Sequence, residues 1–168
     1  MIRRLLIALG TVAILAAAIA PASDAQPRNP NKDIIQTAQA AGSFNTLLKA
    51  IRLADLQGKL KTGGPYTVFA PTDEAFAKLP PETLAAVLAD ENLLRSILLY
   101  HVVDGAAYAK DVVGLTSVTT LNGASISIAV VGSSVVLNGT SNVIATDIAA
   151  KNGVIHVIDT VLLPPAGQ

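Results

Sequence analysis

Apolar residues recur at helical spacing through the first half of the chain. They form one stripe before Gly42 and a second stripe after it, namely Ile34, Ile35, Ala38 and Ala41, then Phe44, Leu47, Leu48 and Ile51. Such spacing places the apolar residues of each segment on one face of an α-helix. We predict a first helix that ends at Gly42 and a second that Ser43 caps, with Lys49 and Arg52 on its outer face.

Two more helices are predicted after a loop at residues 62–65 (TGGP) and a short strand. The first opens at Pro80-Pro81-Glu82 and the second begins at Asp90, because proline and acidic residues favour the first turn of a helix. Their inward residues share the same helical spacing: Leu84, Val87 and Leu88 in the first, then Leu93, Leu94, Ile97 and Leu98 in the second.

After His101 the pattern changes to a period of two. Apolar residues alternate with small or polar ones in residues 125–130 (SISIAV), and residues 143–148 (VIATDI) alternate in the same way. This is the pattern of strands with one buried face. The front half is therefore helical and the back half stranded, which predicts a single α+β domain without internal repeats.

Three Asn-Gly pairs punctuate the stranded half, at residues 122–123, 138–139 and 152–153. Asn-Gly favours tight hairpin turns because both residues tolerate positive φ angles. Asn138 also begins an Asn-Gly-Thr glycosylation sequon. We interpret it as a plain hairpin turn, since such sequons recur by chance.

Residues 66–76 (YTVFAPTDEAF) predict a strand, a break and a capped helix. The β-branched and aromatic residues of TVF suit a short buried strand, and Pro71 stops it because proline has no N–H for a ladder. Thr72 then stands at the N-cap position, with Asp73 and Glu74 in the first turn. We interpret Thr72 and Asp73 as capping residues rather than as a binding site.

Three segments in order carry a family resemblance. They are residues 66–76, residues 98–103 (LLYHVV) and residues 152–164 (NGVIHVIDTVLLP). Together they resemble the two signature segments and the central Tyr-His pair of the fasciclin domain, here Tyr100 and His101. The family consists of secreted or surface-displayed adhesion and matrix modules rather than, for the most part, enzymes.

The resemblance implies a fold and a set of candidate structural or adhesion residues. It implies a fasciclin-like β-sandwich or wedge with several helices packed along it, over residues 32–165. In the family the Tyr-His pair has been associated with adhesion, so the resemblance implies that the same pair is a candidate adhesion site here. The candidate structural or adhesion residues are Thr72, Asp73, Tyr100, His101 and His156.

The N-terminus predicts export. Residues 1–25 combine a basic start, an apolar run and small residues before a cut at Gln26, which is the pattern of a signal peptide. A second possible cut lies at residues 20–22, and an uncleaved membrane anchor is the alternative, although spanning helices need about 20 apolar residues. Residues 26–31 are a short leader and residues 166–168 a tail. We expect a periplasmic or secreted protein with no membrane span after cleavage.

The net charge limits the classes of partner, and the cysteine content limits how the domain is stabilised. The chain has 12 basic and 12 acidic residues, and removal of Arg3, Arg4 and Asp24 with the signal leaves 10 and 11. Near-zero net charge gives no electrostatic reason to expect nucleic acid or an anionic membrane as partner. There is no cysteine, so packing rather than disulfides must hold the exported domain.

Candidate chemistry is sparse. The two histidines, His101 and His156, each lie inside an apolar stretch, and two imidazoles without a third ligand are too few for a metal site. No Gly-x-Ser-x-Gly elbow and no phosphate-binding loop is present. We interpret both histidines as buried, hydrogen-bonded residues that lock helices to the sheet. We predict no catalytic residue, no metal and no cofactor.

The sequence therefore favours a non-catalytic module that binds an extracellular protein or polysaccharide at a cell surface. Exposed segments such as residues 108–113 are better candidates for recognition than the core. Two alternatives stay open: a carrier of a small apolar ligand such as a carotenoid or lipid, and a hydrolase or metal enzyme that uses His101 or His156. Phe44, Phe69 and Phe76 are predicted in the core.

Overall fold

A computed structural model describes residues 31–165. Its helices are α1 (Ile34–Ala41), α2 (Asn45–Leu53), α3 (Gln57–Thr62), α4 (Asp73–Ala77), α5 (Pro81–Ala89), α6 (Glu91–Tyr100) and α7 (Ala109–Val112). Its strands are β1 (Tyr66–Pro71), β2 (Val102–Asp104), β3 (Ser117–Thr119), β4 (Ser125–Val131), β5 (Ser134–Leu137), β6 (Ser141–Ala150) and β7 (Gly153–Ile158). The predicted signal peptide, most of the predicted leader and the predicted tail lie outside the described residues.

The strands form one mixed sheet in the order β2-β1-β7-β6-β5-β4-β3. Only β1 and β7 run parallel, and the other pairs are antiparallel. A bridge between Val103 and Thr120 joins the two ends of the sheet, so the sheet wraps into a near-barrel. The predicted α+β class is confirmed. The predicted sandwich is matched only loosely, because one sheet curls on itself instead of two sheets packing face to face.

Two apolar clusters occupy the two faces of this sheet. The helix-side core packs α1, α2 and α6 against residues of β1 and β7, among them Val68 and Ile155. The barrel core fills the inside of the wrapped sheet, with Phe69, Ile126 and Leu137. Every residue of β1 and of β7 is buried, because helices cover one face of these strands and the barrel interior covers the other.

The predicted helices are present, with local corrections. Gly42 ends α1 with a φ of 75°, as a left-handed C-terminal residue should. Ser43 does not cap α2, whose N-cap residue is Phe44 without a side-chain bond. Ala41 and Leu93, both predicted to face inward, are exposed. Helix α3 was not predicted, because it buries only Leu60 and so carries no periodic apolar stripe.

The strand half shows two further corrections. All three Asn-Gly pairs lie at or beside hairpin turns, but only Asn138 and Gly139 both have positive φ, at 51° and 70°. Strand β6 does not keep a strict alternation, because its register with β7 shifts twice between Val143 and Ile148. Asp147 has a φ of 58° in this irregular stretch, and bulges of this kind change which face a side chain reaches.

Candidate functional site

His101 is buried at the end of α6 with both ring nitrogens bonded to the backbone. The residue is 2 % exposed. Its Nδ1 lies 2.8 Å from the Ile97 carbonyl oxygen, which can only accept, so Nδ1 carries the proton. Nε2 then accepts a bond from the Leu162 N–H at 3.0 Å. Burial lowers the pKa of His101 to about 4, although the bond to Ile97 opposes that shift. The neutral ring therefore ties the helix end to the segment after β7.

His156 lies in β7 and also has both ring nitrogens bonded to the backbone. Its Nε2 lies 2.8 Å from the Ala107 carbonyl oxygen and its Nδ1 accepts from the Asp147 N–H at 3.4 Å. The ring stacks on Phe69 with a centroid distance of 5.7 Å. Burial lowers the pKa of His156, and the bond to Ala107 and the Asp147 carboxylate partly oppose the change. The ring holds the segment before α7 against β6 and β7.

The structure does not bring the two imidazoles into one site. His101 lies among side chains of the helix-side core, such as Phe76 and Leu98. His156 lies beside members of the barrel core such as Phe69 and Val112. Within residues 31–165 no group of three His, Cys, Asp or Glu side chains is placed to hold a metal ion. Each ring's hydrogen-bonding capacity is used by the backbone, so neither has a free nitrogen for a substrate.

Tyr100 links α6 to the far side of the barrel. The residue is 2 % exposed. Its hydroxyl donates to the Ser125 carbonyl at 3.2 Å and accepts from Asn138 Nδ2 at 2.9 Å. Asn138 Oδ1 in turn accepts from the Ser127 N–H at 3.0 Å. The Asn138 amide thus makes internal bonds at the β5–β6 turn, which is where the interpretation as a hairpin turn placed it.

Thr72 and Asp73 cap helices, but not the same helix. Thr72 Oγ1 accepts from the Ala75 N–H at 3.2 Å, as predicted for an N-cap. Asp73 reaches instead to the start of α2, where its Oδ1 accepts from Thr46 N–H at 2.7 Å and its Oδ2 from Asn45 N–H at 3.2 Å. Burial raises the pKa of Asp73, but the bonds from Thr46 and Asn45 together outweigh it, so the pKa lies below its ordinary value.

Asn152 has a structural role that the Asn-Gly pattern did not reveal. Its Oδ1 accepts from the Ile34 N–H at 3.0 Å, and its Nδ2 donates to the Leu60 carbonyl at 2.5 Å. Its own carbonyl accepts from the Tyr66 N–H at 3.0 Å. The side chain thus joins the start of α1 to the end of α3, and the backbone carbonyl of the same residue holds the start of β1. The available signal was its place in a recognised segment, since its partners are remote in sequence.

Two cavities beside the buried histidines are small. The cavity beside His101 and the one beside His156 each hold about 10 Å³, which is room for a single water molecule. Sites for drug-sized ligands measure about 300–1,000 Å³. These two cavities do not accommodate a carotenoid or a lipid.

Two open depressions of ligand size lie on the surface. The α1–α3 cleft measures about 520 Å³ and lies where the start of α1, the end of α3 and the β6–β7 turn meet; Lys61, Lys151 and Asn152 are among its lining residues. The α7 groove measures about 490 Å³ and is lined by Tyr108, Lys110, Asp147 and Ala149. The segment of residues 108–113, predicted to be exposed, contains the short helix α7, and its Tyr108 is exposed.

Fold and site together describe an α+β module whose conspicuous polar residues serve its own architecture. The fasciclin domain model matches residues 42–164. The chain is 44 % identical over 131 residues to the uncharacterized protein sll1735 of Synechocystis sp., covering 78 % of this chain and 97 % of that protein. It is 37 % identical over 146 residues to immunogenic protein MPB70 of Mycobacterium bovis, covering 87 % and 70 %. The chain belongs to the fasciclin domain family.

A solved structure shows the same fold. A FAS1 domain pair from the insect cell adhesion molecule fasciclin I superimposes with a TM-score of 0.69 at 23 % identity, over 80 % of this chain and 51 % of that one. The resemblance inferred from the three sequence segments is thereby confirmed. None of the helices within residues 31–165 has the length and apolar character needed to span a membrane.

Proposed function

We propose that the chain is an exported, non-catalytic adhesion module that binds an extracellular protein or polysaccharide at a cell surface. Family membership and the likeness to a domain pair of an insect cell adhesion molecule support this proposal. The basic start, apolar run and small residues of positions 1–25 support export.

One observation carries the non-catalytic part of the proposal. Tyr100, His101 and His156 are all buried, and their polar atoms bond to the protein's own backbone or to Asn138. An acid–base catalyst must reach the proton it transfers, and these side chains have no open route to a substrate. Recognition is left to the outer surface, where exposed residues on a rigid scaffold make contacts.

The same observation gives the Tyr-His pair an indirect role in adhesion. His101 joins α6 to Leu162, and Tyr100 joins α6 to the β5–β6 turn through Asn138. Loss of either contact would lower the fraction of folded protein and so lower binding. A direct contact would instead lower the affinity of the molecules that remain folded.

The experiment measures binding of the purified protein to immobilised cell-surface polysaccharides and extracellular matrix proteins, with the wild type and His101→Ala. We expect the wild type to bind at least one of them. His101→Ala should keep the wild-type affinity once the concentration is corrected for the folded fraction. If the wild-type protein binds none of the immobilised polysaccharides or matrix proteins, the adhesion proposal is wrong. A large affinity loss in fully folded His101→Ala contradicts the indirect role.

A further inference from the structure

The α1–α3 cleft is a preformed depression with fixed walls. Asn152 bonds to Ile34 on one wall and to Leu60 on the other. The Lys151 N–H donates to the Lys32 carbonyl at 2.8 Å, which fastens the β6–β7 turn beside the start of α1. Because these backbone segments are already held together, a ligand would not have to order them.

The lining of the cleft carries more positive than negative charge. Lys61 and Lys151 are exposed residues of its lining. Among the residues that the structure describes, the ion pairs are Lys78 with Asp159 and Arg95 with Glu91, so neither lining lysine is paired. One lining carboxylate, Asp33, accepts a bond from the Gln36 N–H at 2.8 Å and keeps its negative charge, so the two lining lysines leave an excess of one positive charge.

The rest of the lining suits sugar hydroxyl groups. It includes the amides of Asn31 and Gln36 and the hydroxyl of Thr62. The Gln36 Oε1 and the Thr62 hydroxyl proton are already used in bonds to the backbone, so Gln36 offers its NH₂ group and Thr62 its oxygen atom. Among residues 31–165, the lining includes no aromatic side chain and none of the large apolar side chains that are exposed elsewhere, such as Val131 and Ile144. A single-stranded nucleic acid site is built on stacked aromatic residues, and a membrane-binding face inserts apolar ones. The cleft has neither.

We propose that the α1–α3 cleft binds an acidic sugar residue of a polysaccharide, with Lys61 and Lys151 facing its carboxylate or sulfate group. The amides of Asn31 and Gln36 and the Thr62 hydroxyl contact neighbouring sugar hydroxyls. This inference rests on the proposed adhesion function and names a partner class for it. Because the whole chain is nearly neutral, the attraction is local, and each exposed lysine contributes a modest part of it.

The test uses polygalacturonate as the acidic polymer and dextran of matched length as the neutral one, with calorimetric titration at low and at physiological salt. The double variant Lys61→Gln/Lys151→Gln removes the charge of the cleft. Its matched control, Lys49→Gln/Arg52→Gln, removes the same charge from exposed residues of α2, which do not line the cleft. Thermal melting of each variant verifies that it is folded.

We expect polygalacturonate to bind, dextran not to bind, and salt to weaken the binding. The cleft variant should lose about ten-fold in affinity and the α2 control less than about two-fold. Equal losses in both variants would mean attraction to net charge alone and would overturn the proposal. Absence of polygalacturonate binding would overturn it too.

Two further measurements distinguish binding of an acidic sugar from binding of other anions and from adhesion through another surface. Vesicles containing phosphatidylglycerol, or inorganic phosphate as a competitor, should not reproduce the dependence on Lys61 and Lys151. If they do, the cleft recognises negative charge rather than a sugar and the proposal fails. If the wild type binds cell-surface material and the cleft variant binds it equally well, adhesion stands and the cleft is not its site.

Discussion

The two histidines are buried polar residues whose ring nitrogens all bond to the backbone of the fold. Each ring is neutral, with one nitrogen facing a carbonyl and the other accepting from a backbone N–H. A second proton would turn the accepting nitrogen into a donor aimed at another donor. Asp147 is the charged group that faces His156, whereas the cavity beside His101 is lined by apolar residues. Acid should therefore weaken both anchors.

We predict that the free energy of unfolding falls as the pH falls from about 6.5 to about 4. The folded state lowers the pKa of His101 from 6.5 to about 4, so the unfolded chain binds more protons across that window. The loss from His101 levels off below about 4 and amounts to roughly 3 kcal/mol, at about 1.4 kcal/mol per pKa unit. His156, whose pKa is also lowered, adds to the loss. Urea unfolding followed by circular dichroism at a series of pH values measures it.

The control for this prediction is His101→Ala. At pH 7 it should be about 1–3 kcal/mol less stable, because the Leu162 N–H loses its acceptor. It should also show a shallower fall in stability between pH 6.5 and 4. Below that window Asp73 and Asp159, whose pKa values lie below the ordinary one, lose their contributions instead. A stability that stays flat from pH 7 to pH 5 is the contrary result.

Helices in this domain are stabilised partly by residues from other elements. The N-terminus of α2 has no side-chain cap of its own. Asp73, the first residue of α4, supplies the missing acceptors from 28 positions along the chain. A carboxylate at a helix N-terminus also interacts favourably with the helix dipole. One residue thus sets the position of α4 relative to α2.

We predict that Asp73→Ala lowers the free energy of unfolding by about 1 kcal/mol, within the range of about 0.5–2 for the loss of a cap. Hydrogen exchange should accelerate most at Asn45 and Thr46, whose N–H groups lose their acceptor. The matched variant Glu74→Ala removes an exposed carboxylate from the same helix turn and should change stability by less than about 0.5 kcal/mol. Equal effects of the two substitutions would show that only general charge near α4 matters.

The start of β7 is a place where two strands approach too closely for a side chain. A Cβ added at Gly153 would collide with the backbone oxygen of Tyr66 and also meet Ile34. Backbone atoms of a parallel strand pair cannot move aside without disturbing the pairing of Tyr66 with Gly153. The requirement for glycine here is therefore close approach, since Gly153 is not among the positive-φ glycines.

We predict that Gly153→Ala costs about 3 kcal/mol or more, because overpacking against backbone forces both strands to shift. Gly58 offers the control, since it lies in α3 with open space around the added Cβ. Gly58→Ala should be neutral or stabilise the protein by up to about 1 kcal/mol. Thermal unfolding of the two variants makes the comparison, and a Gly153→Ala protein as stable as the wild type would contradict it.

The two cores are joined because β1 and β7 belong to both. Neighbouring residues of β1, Val68 and Phe69, enter the helix-side core and the barrel core respectively. Ile155 and Ile158 of β7 divide in the same way. Separate folding of either half would leave these strands half exposed, so the domain should unfold as a single cooperative unit.

We predict that a cavity in one core destabilises both halves alike. Leu94→Ala opens the helix-side core and Ile126→Ala the barrel core, each at a fully packed position and at a cost of about 2–5 kcal/mol. Hydrogen exchange of α2 and of β4 reports the two halves separately. Each variant should accelerate the slowest exchange in both elements by the same factor. Acceleration confined to the mutated half would reveal two independently folding units.

Periodicity in the sequence located most elements but not their partners. The stripes of α1, α2 and α6 and the alternation in β4 are local, because they depend on residues a few positions apart. Helix α3 was not predicted, because it buries only one residue and so has no apolar stripe. Leu93 was assigned inward although it is exposed, since the spacing identifies a face without showing how wide the covered part is. The recognised segments identified the family, which the helical and stranded patterns alone could not.

Local chemistry in the chain was enough to specify most of the helices, the alternating strands, the Asn-Gly turns, the Thr72 cap and the α+β class, because each depends on near neighbours. The roles of His101, Asp73 and Asn152 required the folded chain. Their partners lie 61, 28 and as many as 118 positions away, and closure of the sheet is what brings them into contact. The α1–α3 cleft arises in the same way, since its lysines come from segments that approach one another only when β1 and β7 pair.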